Sequence, residues 1–276
     1  MKLATLRDGS RDGQLIVVSR DLTHAHLAHH IAPTLQRALD DWSFIAPQLE
    51  DLFESLNQNK ARHSFSFDAH DCLAPLPRAY AHYQIHSTAA QPLASDQLIG
   101  GFEPVRFLDE ISTKTWAPSL AAITDHVAIA AGPKESATRT LLMMMSVQWA
   151  QGQLPEDAPN SQFTFAPVAV TPDELAGWPL SASGDSIKGN KPLWKARRND
   201  EAAVNLHTSD GYGDFGAALS QIARGRSIGA GTIVSMPLPA NEALMMIGDR
   251  LRIDLKLDPK HSIFGEIDQT VMILKR

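Results

Sequence analysis

Two hydrophobic patterns divide the first part of the chain into short elements. The segment KLATL, the turn RDGSRDG and the segment QLIVVS predict a β-hairpin with Asp-Gly at its bend. Apolar residues then recur at helical spacing in IAPTLQRALDDW and across residues 43–59. In the second of these segments the apolar face carries Ile45, Leu49, Leu52, Phe53 and Leu56. A small α+β unit is therefore predicted, and it ends near the paired prolines of LAPLPRAY.

Beyond that point the pattern changes to longer runs that are typical of strands. We predict strands over residues 115–131 and 141–149, with a short helix capped by Ser136 before the second strand. The segment QFTFAPVAVTPDEL predicts a strand followed by a helix whose capping box is formed by Thr171 and Glu174.

The C-terminal part continues the same alternation of strands and short helices. DFGAALSQIARGRSIGAGTIV predicts a helix N-capped by Asp214 and then a strand, while DRLRIDLKL and SIFGEIDQTVMIL predict a closing pair of strands. The 276 residues, 43% of them hydrophobic, are enough for a sizeable core. We therefore predict an α+β fold dominated by antiparallel or mixed sheet, with a small domain over residues 1–72 and a β-rich domain over 73–276.

The charge balance argues against nucleic-acid binding. The chain has 25 basic and 31 acidic side chains, a net of −6, whereas phosphate contacts need clustered Lys and Arg. The longest basic cluster, residues 188–198, is interpreted as a solvated hairpin. No apolar run approaches the length of a membrane span, and no secretory signal pattern opens the sequence. The single cysteine, Cys72, fits a small buried hydrophobe, and a reducing cytoplasmic location is the expectation.

Histidines are frequent, and four of the eleven lie in HAHLAHH. His26 and His30 are four residues apart, which on a helix would place two imidazoles on one face as a metal pair. The other interpretation is a polar turn and strand edge within the N-terminal unit. Further along, His82 and His86 have no carboxylate partner nearby in sequence to orient them as general bases.

The common catalytic motifs are missing from the sequence. It contains no Gly-x-Ser-x-Gly elbow, and the glycines of IGAGTIV lead into a strand and do not open a helix. The three methionines of residues 143–145 are interpreted as core packing. Residue spacing alone therefore indicates no catalytic constellation.

Several segments, in order along nearly the whole chain, resemble the fumarylacetoacetate hydrolase family. They are MKLATLRDGSRDGQLIVVSRDLT, IAPTLQRALDDW, APLPRAY, FAPVAVTPDEL, DFGAALSQIAR with IGAGTIV, and GDRLRIDL with SIFGEIDQTV. The resemblance implies a small N-terminal domain, a C-terminal mixed β-roll or sandwich, and a homodimer. It also implies Mg²⁺ or Mn²⁺ and the cleavage, hydration or decarboxylation of 2,4-dioxo acids and related 2-keto acids.

The sequence departs from the family at the positions that hold the metal ion. The family's strand with two glutamate ligands matches TWAPSLAAIT, where those positions fall on Ala117 and Ser119. The family's aspartate ligand falls on Ser146 in MMMSVQW. Neutral side chains do not hold Mg²⁺ against its hydration shell, so no metal or other cofactor is predicted.

The expected substrate contacts are altered as well. The family's substrate-side lysine falls on or near Asn160, and the loop that holds the substrate carboxylate is replaced by SMPLPAN, which begins at Ser235. His86 matches the lid histidine but lacks its partnering glutamate. These residues, with Ala117, Ser119 and Ser146, form the predicted vestigial pocket.

The leading hypothesis is a protein that keeps this fold and has lost metal-dependent C–C hydrolysis, while retaining a role in binding a small carboxylic acid or a partner subunit. The alternative is an active hydrolase or isomerase of the same family with rebuilt zinc ligands or a metal-free site. In that alternative His82, His86 or His126 acts with Ser119 or Ser146. A third hypothesis makes the N-terminal histidine cluster a metal-binding module.

Overall fold

A computed structural model describes most of the chain. The described ranges are residues 1–86, 89–108, 113–151, 161–175, 193–206, 214–238, 244–256 and 262–274, with the backbone alone at 86 and 89. No helix within these ranges is long and apolar enough to cross a membrane.

Strands dominate the described part of the chain. In order they are β1 (Lys2–Leu6), β2 (Gln14–Val18), β3 (His24–Leu27), β4 (Phe65–Ser66), β5 (Ala81–His86), β6 (Ala89–Leu93), β7 (Ile99–Gly100), β8 (Val105–Phe107), β9 (Lys114–Thr124), β10 (Thr140–Gln151), β11 (Gln162–Phe165), β12 (Val168–Val170), β13 (Leu193–Arg198), β14 (Val204–Leu206), β15 (Thr232–Pro237), β16 (Arg250–Lys256) and β17 (Ile267–Ile273). The helices are short except for one. They are α1 (Leu35–Asp40), α2 (Trp42–Asn57), α3 (Pro133–Ala137) and α4 (Phe215–Ile222), with 3₁₀ turns at Ala69–Asp71 and Pro172–Leu175.

Twelve of the described strands form one mixed sheet. Its main path runs β4-β3-β2-β1-β12-β10-β9-β15-β5-β6, with β11 beside β10 and β7 beside β11. A second sheet of five described strands runs β14-β13-β16-β17-β8. The pairs β15–β5, β11–β7 and β17–β8 are parallel, and the other pairs are antiparallel. The architecture is thus the predicted α+β fold with mixed sheet.

The N-terminal elements follow the hydrophobic pattern closely. β1 and β2 form the predicted hairpin, with Lys2 opposite Val18. Thr34 caps α1 by accepting a hydrogen bond from the Arg37 N–H at 3.2 Å, as capping residues do. In α2 the buried residues are Ile45, Leu49, Phe53 and Leu56, four of the five on the predicted face. β1 also pairs with β12, so the N-terminal hairpin continues into the large sheet. The division at residue 72 remains a prediction.

Three predicted elements need correction. The strand predicted over residues 115–131 ends at Thr124, because the Asp125 carboxylate accepts hydrogen bonds from the His126 N–H and from Arg139, and Ala130 has a φ of 61°. Ser136 lies inside α3 and does not cap it, since Gly132 is at the N-cap and proline follows.

The third correction concerns residues 162–175. The single predicted strand is divided into β11 and β12 at Ala166, whose N–H donates to the Met145 carbonyl at 2.9 Å, and Pro167, which has no N–H to donate. The helix predicted after it is only the 3₁₀ turn Pro172–Leu175.

Candidate functional site

Strands β9 and β10 bring three predicted site positions onto one face of the large sheet. In their antiparallel register Ser119 lies opposite Ser146, and Ala117 lies opposite Gln148. Residues directly opposite each other, and residues two apart along a strand, share a face. Ala117, Ser119 and Ser146 are therefore neighbours on this face.

Strands β15 and β5 extend this face. Ser235 lies opposite Ala121 on β9 and beside Gln84 on β5, so its side chain joins the same face. His82, two residues before Gln84, contacts Ser235 through a hydrogen bond of 2.8 Å between its Nε2 and the serine Oγ. We call the set Ala117, Ser119, Ser146, Gln148, Ser235, Gln84 and His82 the neutral face.

The neutral face is buried and lies beside two aromatic side chains of β11. The rings of Phe163 and Phe165 lie 4.7 and 5.9 Å from the His82 ring, and Ser119, Ser146 and Ser235 have no exposed surface. Burial lowers the pKa of His82 to about 3, against a smaller opposing effect of the Ala94 backbone. The imidazole is therefore uncharged at neutral pH, and no group of this face carries a charge.

Hydrogen bonds along the neutral face are incomplete. Gln84 Nε2 donates to Gln148 Oε1 at 2.8 Å, and Gln148 Nε2 donates to Ser161 Oγ at 3.0 Å. The hydroxyls of Ser119 and Ser146 and the Oε1 of Gln84 have no partner among the described residues. Buried polar atoms are normally paired with protein, water or ligand. These three atoms therefore lack, among the described residues, the partners that buried polar atoms normally have.

The residues of the neutral face do not fit a divalent cation. Mg²⁺ and Mn²⁺ prefer anionic oxygens, whereas this face offers hydroxyls, amides and a neutral imidazole. Across the described ranges, no three His, Cys, Asp or Glu side chains are grouped in a way that could hold a metal ion. Asp125, the carboxylate nearest in sequence to β9, lies beyond its C-terminal end and pairs with Arg139 at 3.1 Å.

The remaining predicted positions have different outcomes. Asn160 lies outside the described residues, and so does the side chain of His86, so their roles stay predictions. His126 is exposed beyond the end of β9, away from the neutral face.

Gln84 and Gln148 belong to the neutral face but were not predicted from the sequence. The period-two spacing of His82 and Gln84 in AHYQIH was the signal that could have indicated a shared face.

The histidine cluster near the N-terminus is a strand and turn and not a helix, so the helical arrangement of His26 and His30 is wrong, and metal binding by the cluster stays a prediction. His26 lies in β3, and its two ring nitrogens lie 2.7 Å from the Leu27 carbonyl and 2.8 Å from the Arg62 carbonyl. Both ring nitrogens of His26 face backbone carbonyls, and its ring lies 6.2 Å from that of His30. The alternative interpretation, a polar strand and turn, is confirmed.

Two predictions about buried residues are confirmed. Cys72 is 1% exposed, and burial raises the pKa of its thiol to about 12, which makes it an unreactive hydrophobe. Met143, Met144 and Met145 have no exposed surface and belong to the core.

The C-terminal part of the basic stretch lies in β13, which pairs with β14, whereas residues 188–192 lie outside the described ranges.

Comparisons with known proteins agree with this architecture. The family described as "Fumarylacetoacetase N-terminal domain 2" matches residues 1–78. A comparison with curated protein sequences finds no match.

Solved structures align with the whole chain at low sequence identity. Maleylpyruvate hydrolase from Sphingobium sp. SYK-6, in complex with manganese(II) and pyruvate, is 16% identical, with a TM-score of 0.73 and 100% of each chain covered. Fumarylacetoacetate hydrolase from Exiguobacterium antarcticum is 14% identical, with a TM-score of 0.68, 99% of this chain and 100% of that chain covered. 2-Hydroxyhepta-2,4-diene-1,7-dioate isomerase from Mycobacterium marinum is 14% identical, with a TM-score of 0.59 and both chains fully covered. The chain therefore has the fold of the fumarylacetoacetate hydrolase family.

Proposed function

We propose that this chain, which shares its fold with metal-dependent hydrolases, does not cleave C–C bonds through a metal ion and binds a small carboxylic acid on its neutral face. The observation that carries the proposal is the cross-strand pair Ser119 and Ser146, two buried hydroxyls without partners among the described residues. They occupy the positions where the family resemblance places carboxylate ligands.

The chemistry of the neutral face supports a ligand that accepts hydrogen bonds. Each serine hydroxyl can donate one hydrogen bond, and hydrogen bonds to an ionised acceptor are about twice as strong as bonds between neutral groups. The solved maleylpyruvate hydrolase structure contains pyruvate together with manganese(II). Because the neutral face has no carboxylate, it does not repel the carboxylate of a ligand. No metal ion is then needed to bridge the ligand and the protein.

The test is a calorimetric titration of the full chain with pyruvate in the presence of EDTA. We expect saturable binding that weakens about tenfold in Ser146→Ala, because one hydrogen bond to the carboxylate is lost. Ser136→Ala is the matched control, since it removes another buried hydroxyl without a described partner, in α3, and its affinity should equal that of the wild type.

Two results contradict the proposal. Absence of pyruvate binding in EDTA excludes the binding site. Cleavage of an acylpyruvate that requires Mn²⁺ and stops on chelation excludes the loss of the metal-dependent reaction.

The hydrogen bond between His82 and Ser235 favours a second candidate, a metal-free hydrolase. A nucleophilic serine needs a base whose pKa lies near the working pH, but burial lowers the pKa of His82 to about 3. No described carboxylate pairs with this imidazole. Hydrolysis of p-nitrophenyl acetate that is abolished in Ser235→Ala and in His82→Gln, with the fold intact, would establish this candidate over the first.

A further inference from the structure

A second region of the molecule, away from the neutral face, forms a cavity of about 540 Å³. Four separate stretches of the chain line it: the N-terminal hairpin and β3, the end of α2, the 3₁₀ turn at Pro172–Leu175, and residues 262–263. Cavities of this size are typical of small-molecule sites. We call it the Lys2 cavity, after the basic residue that is least exposed in its wall.

Lys2 is buried without a described counter-ion. It is 4% exposed, and its Nζ donates to the Ile263 carbonyl at 2.9 Å and lies 3.5 Å from the Ser262 carbonyl. No carboxylate of the described residues comes within 4 Å of this Nζ. Glu174, the acidic residue of the cavity with the strongest effect on Lys2, is held by Arg20 through hydrogen bonds of 3.0 to 3.3 Å.

This environment destabilises the ammonium form. Burial lowers the pKa of Lys2 to about 8, with a smaller opposing effect of Glu174 and a small further lowering by Arg20. An exposed lysine has a pKa near 10.4, so Lys2 has a much larger fraction of neutral amine at physiological pH. Neutral lysine amines are the nucleophiles of imine-forming sites.

We propose that Lys2 is a nucleophilic amine and that the Lys2 cavity takes small polar aldehydes or 2-oxo acids, which it binds as an imine. The amine lone pair forms a C–N bond to the carbonyl carbon, and a proton moves from nitrogen to the former carbonyl oxygen. The carbinolamine then loses water to form the C=N bond. No electron donor or acceptor is needed, and hydrolysis reverses the step.

The wall of the cavity suits polar ligands. Arg20, Asp21, His24 and Glu174 all line it, so charges of both signs face the same space. Asn59 adds an amide at the end of α2. The proposal is independent of the neutral face, since the Lys2 cavity shares none of its residues.

Trapping with glyoxylate and sodium cyanoborohydride tests the proposal on the native full chain. The imine is reduced to a stable secondary amine, and peptide mass spectrometry with fragment ions assigns each adduct. We expect Lys2 to be modified about tenfold faster than the exposed Lys60 near neutral pH, with a rate that reaches half its maximum near the lowered pKa. Omitting cyanoborohydride and diluting the protein should return unmodified Lys2, since the imine is reversible.

Variants separate this site from the neutral face. Lys2→Arg keeps a cation and should abolish the adduct in the cavity, whereas Lys60→Arg and Ser146→Ala should leave the Lys2 rate unchanged. Modification of Lys2 no faster than Lys60, or only after denaturation in urea, would overturn the proposal.

Discussion

The neutral face and the Lys2 cavity are both polar regions of a largely apolar interior, but only the cavity contains several ionisable side chains. On the neutral face, Ser119, Ser146 and Gln148 present hydroxyl and amide groups, and the one titratable group there, His82, is kept uncharged. The Lys2 cavity concentrates Lys2, Arg20, Asp21 and Glu174 around one space.

The difference follows from the cost of burying charge. A buried ion without a partner loses its hydration and shifts its pKa towards the neutral form, and both His82 and Lys2 do this. Among the described residues the neutral face has no charged side chain to act as a counter-ion, whereas Glu174 shares the cavity wall with Lys2. The two regions should therefore respond to pH in different windows.

The largest expected effect is on the acid side and comes from His82. Its pKa in the folded state lies below the value of about 6.5 in the unfolded chain, so the unfolded state binds more protons as the pH falls between the two values. This group is expected to remove about 3 kcal/mol from the free energy of unfolding between about pH 7 and pH 4. Urea titrations of the wild type and His82→Gln across this range measure the difference.

His82→Gln keeps a hydrogen-bonding group near Ser235 and removes the titration. Its stability is expected to fall less steeply with acid than that of the wild type. Identical slopes for the two proteins would mean that His82 is charged or hydrated in the folded state.

A smaller effect, on the alkaline side, is expected from Lys2. Its lowered pKa means that the unfolded chain binds more protons from about pH 8 up to the ordinary lysine pKa, so stability rises with pH in this window. The gain is about 2 kcal/mol between about pH 8 and pH 10. In Lys2→Met this gain should disappear, and chemical denaturation at the two pH values measures it. Lys60→Met, at an exposed lysine, is the control and should keep the wild-type slope.

The smallest effect concerns the two serines without described partners. Ser119→Ala and Ser146→Ala each remove a buried hydroxyl that lacks a described hydrogen bond, so each is expected to raise the free energy of unfolding by about 1 kcal/mol in the absence of ligand. Ser235→Ala breaks the bond to His82 and should lower stability by a similar amount. Thermal unfolding of the three variants measures whether the first two are stabilised and the third is destabilised. If all three variants were destabilised, Ser119 and Ser146 would have hydrogen-bond partners in the native protein.

Three positions of the neutral face were predicted from sequence through the family resemblance. Ala117, Ser119 and Ser146 could be placed on matching strands, and their pairing follows once β9 and β10 are adjacent. The contact between Gln84 and Gln148 was not predictable, because β5 reaches this sheet through a parallel pairing with β15, far along the chain. Local patterns carry no information about such a pairing.

The Lys2 cavity was also not predictable from the sequence, because residues that are far apart along the chain form it. In the sequence, Lys2 is a single polar residue in a predicted hairpin. The Ile263 carbonyl that accepts its hydrogen bond is 261 residues away along the chain. Its burial depends on the docking of the N-terminal hairpin against β12. The strand predicted over residues 115–131 was too long because a local ion pair, Asp125 with Arg139, and a left-handed residue, Ala130, end it.

A titration of Mn²⁺ into the full wild-type chain, with free Mn²⁺ followed by electron paramagnetic resonance, tests whether the neutral face holds a divalent metal ion. The triple variant Ala117→Glu, Ser119→Glu, Ser146→Asp introduces carboxylates at the three positions and serves as the comparison. The expected result is that the wild type leaves the signal of free Mn²⁺ unchanged at a stoichiometric concentration, while the folded variant lowers that signal. Stoichiometric capture of Mn²⁺ by the wild type, reversed by EDTA and lost in Ser146→Ala, would contradict it.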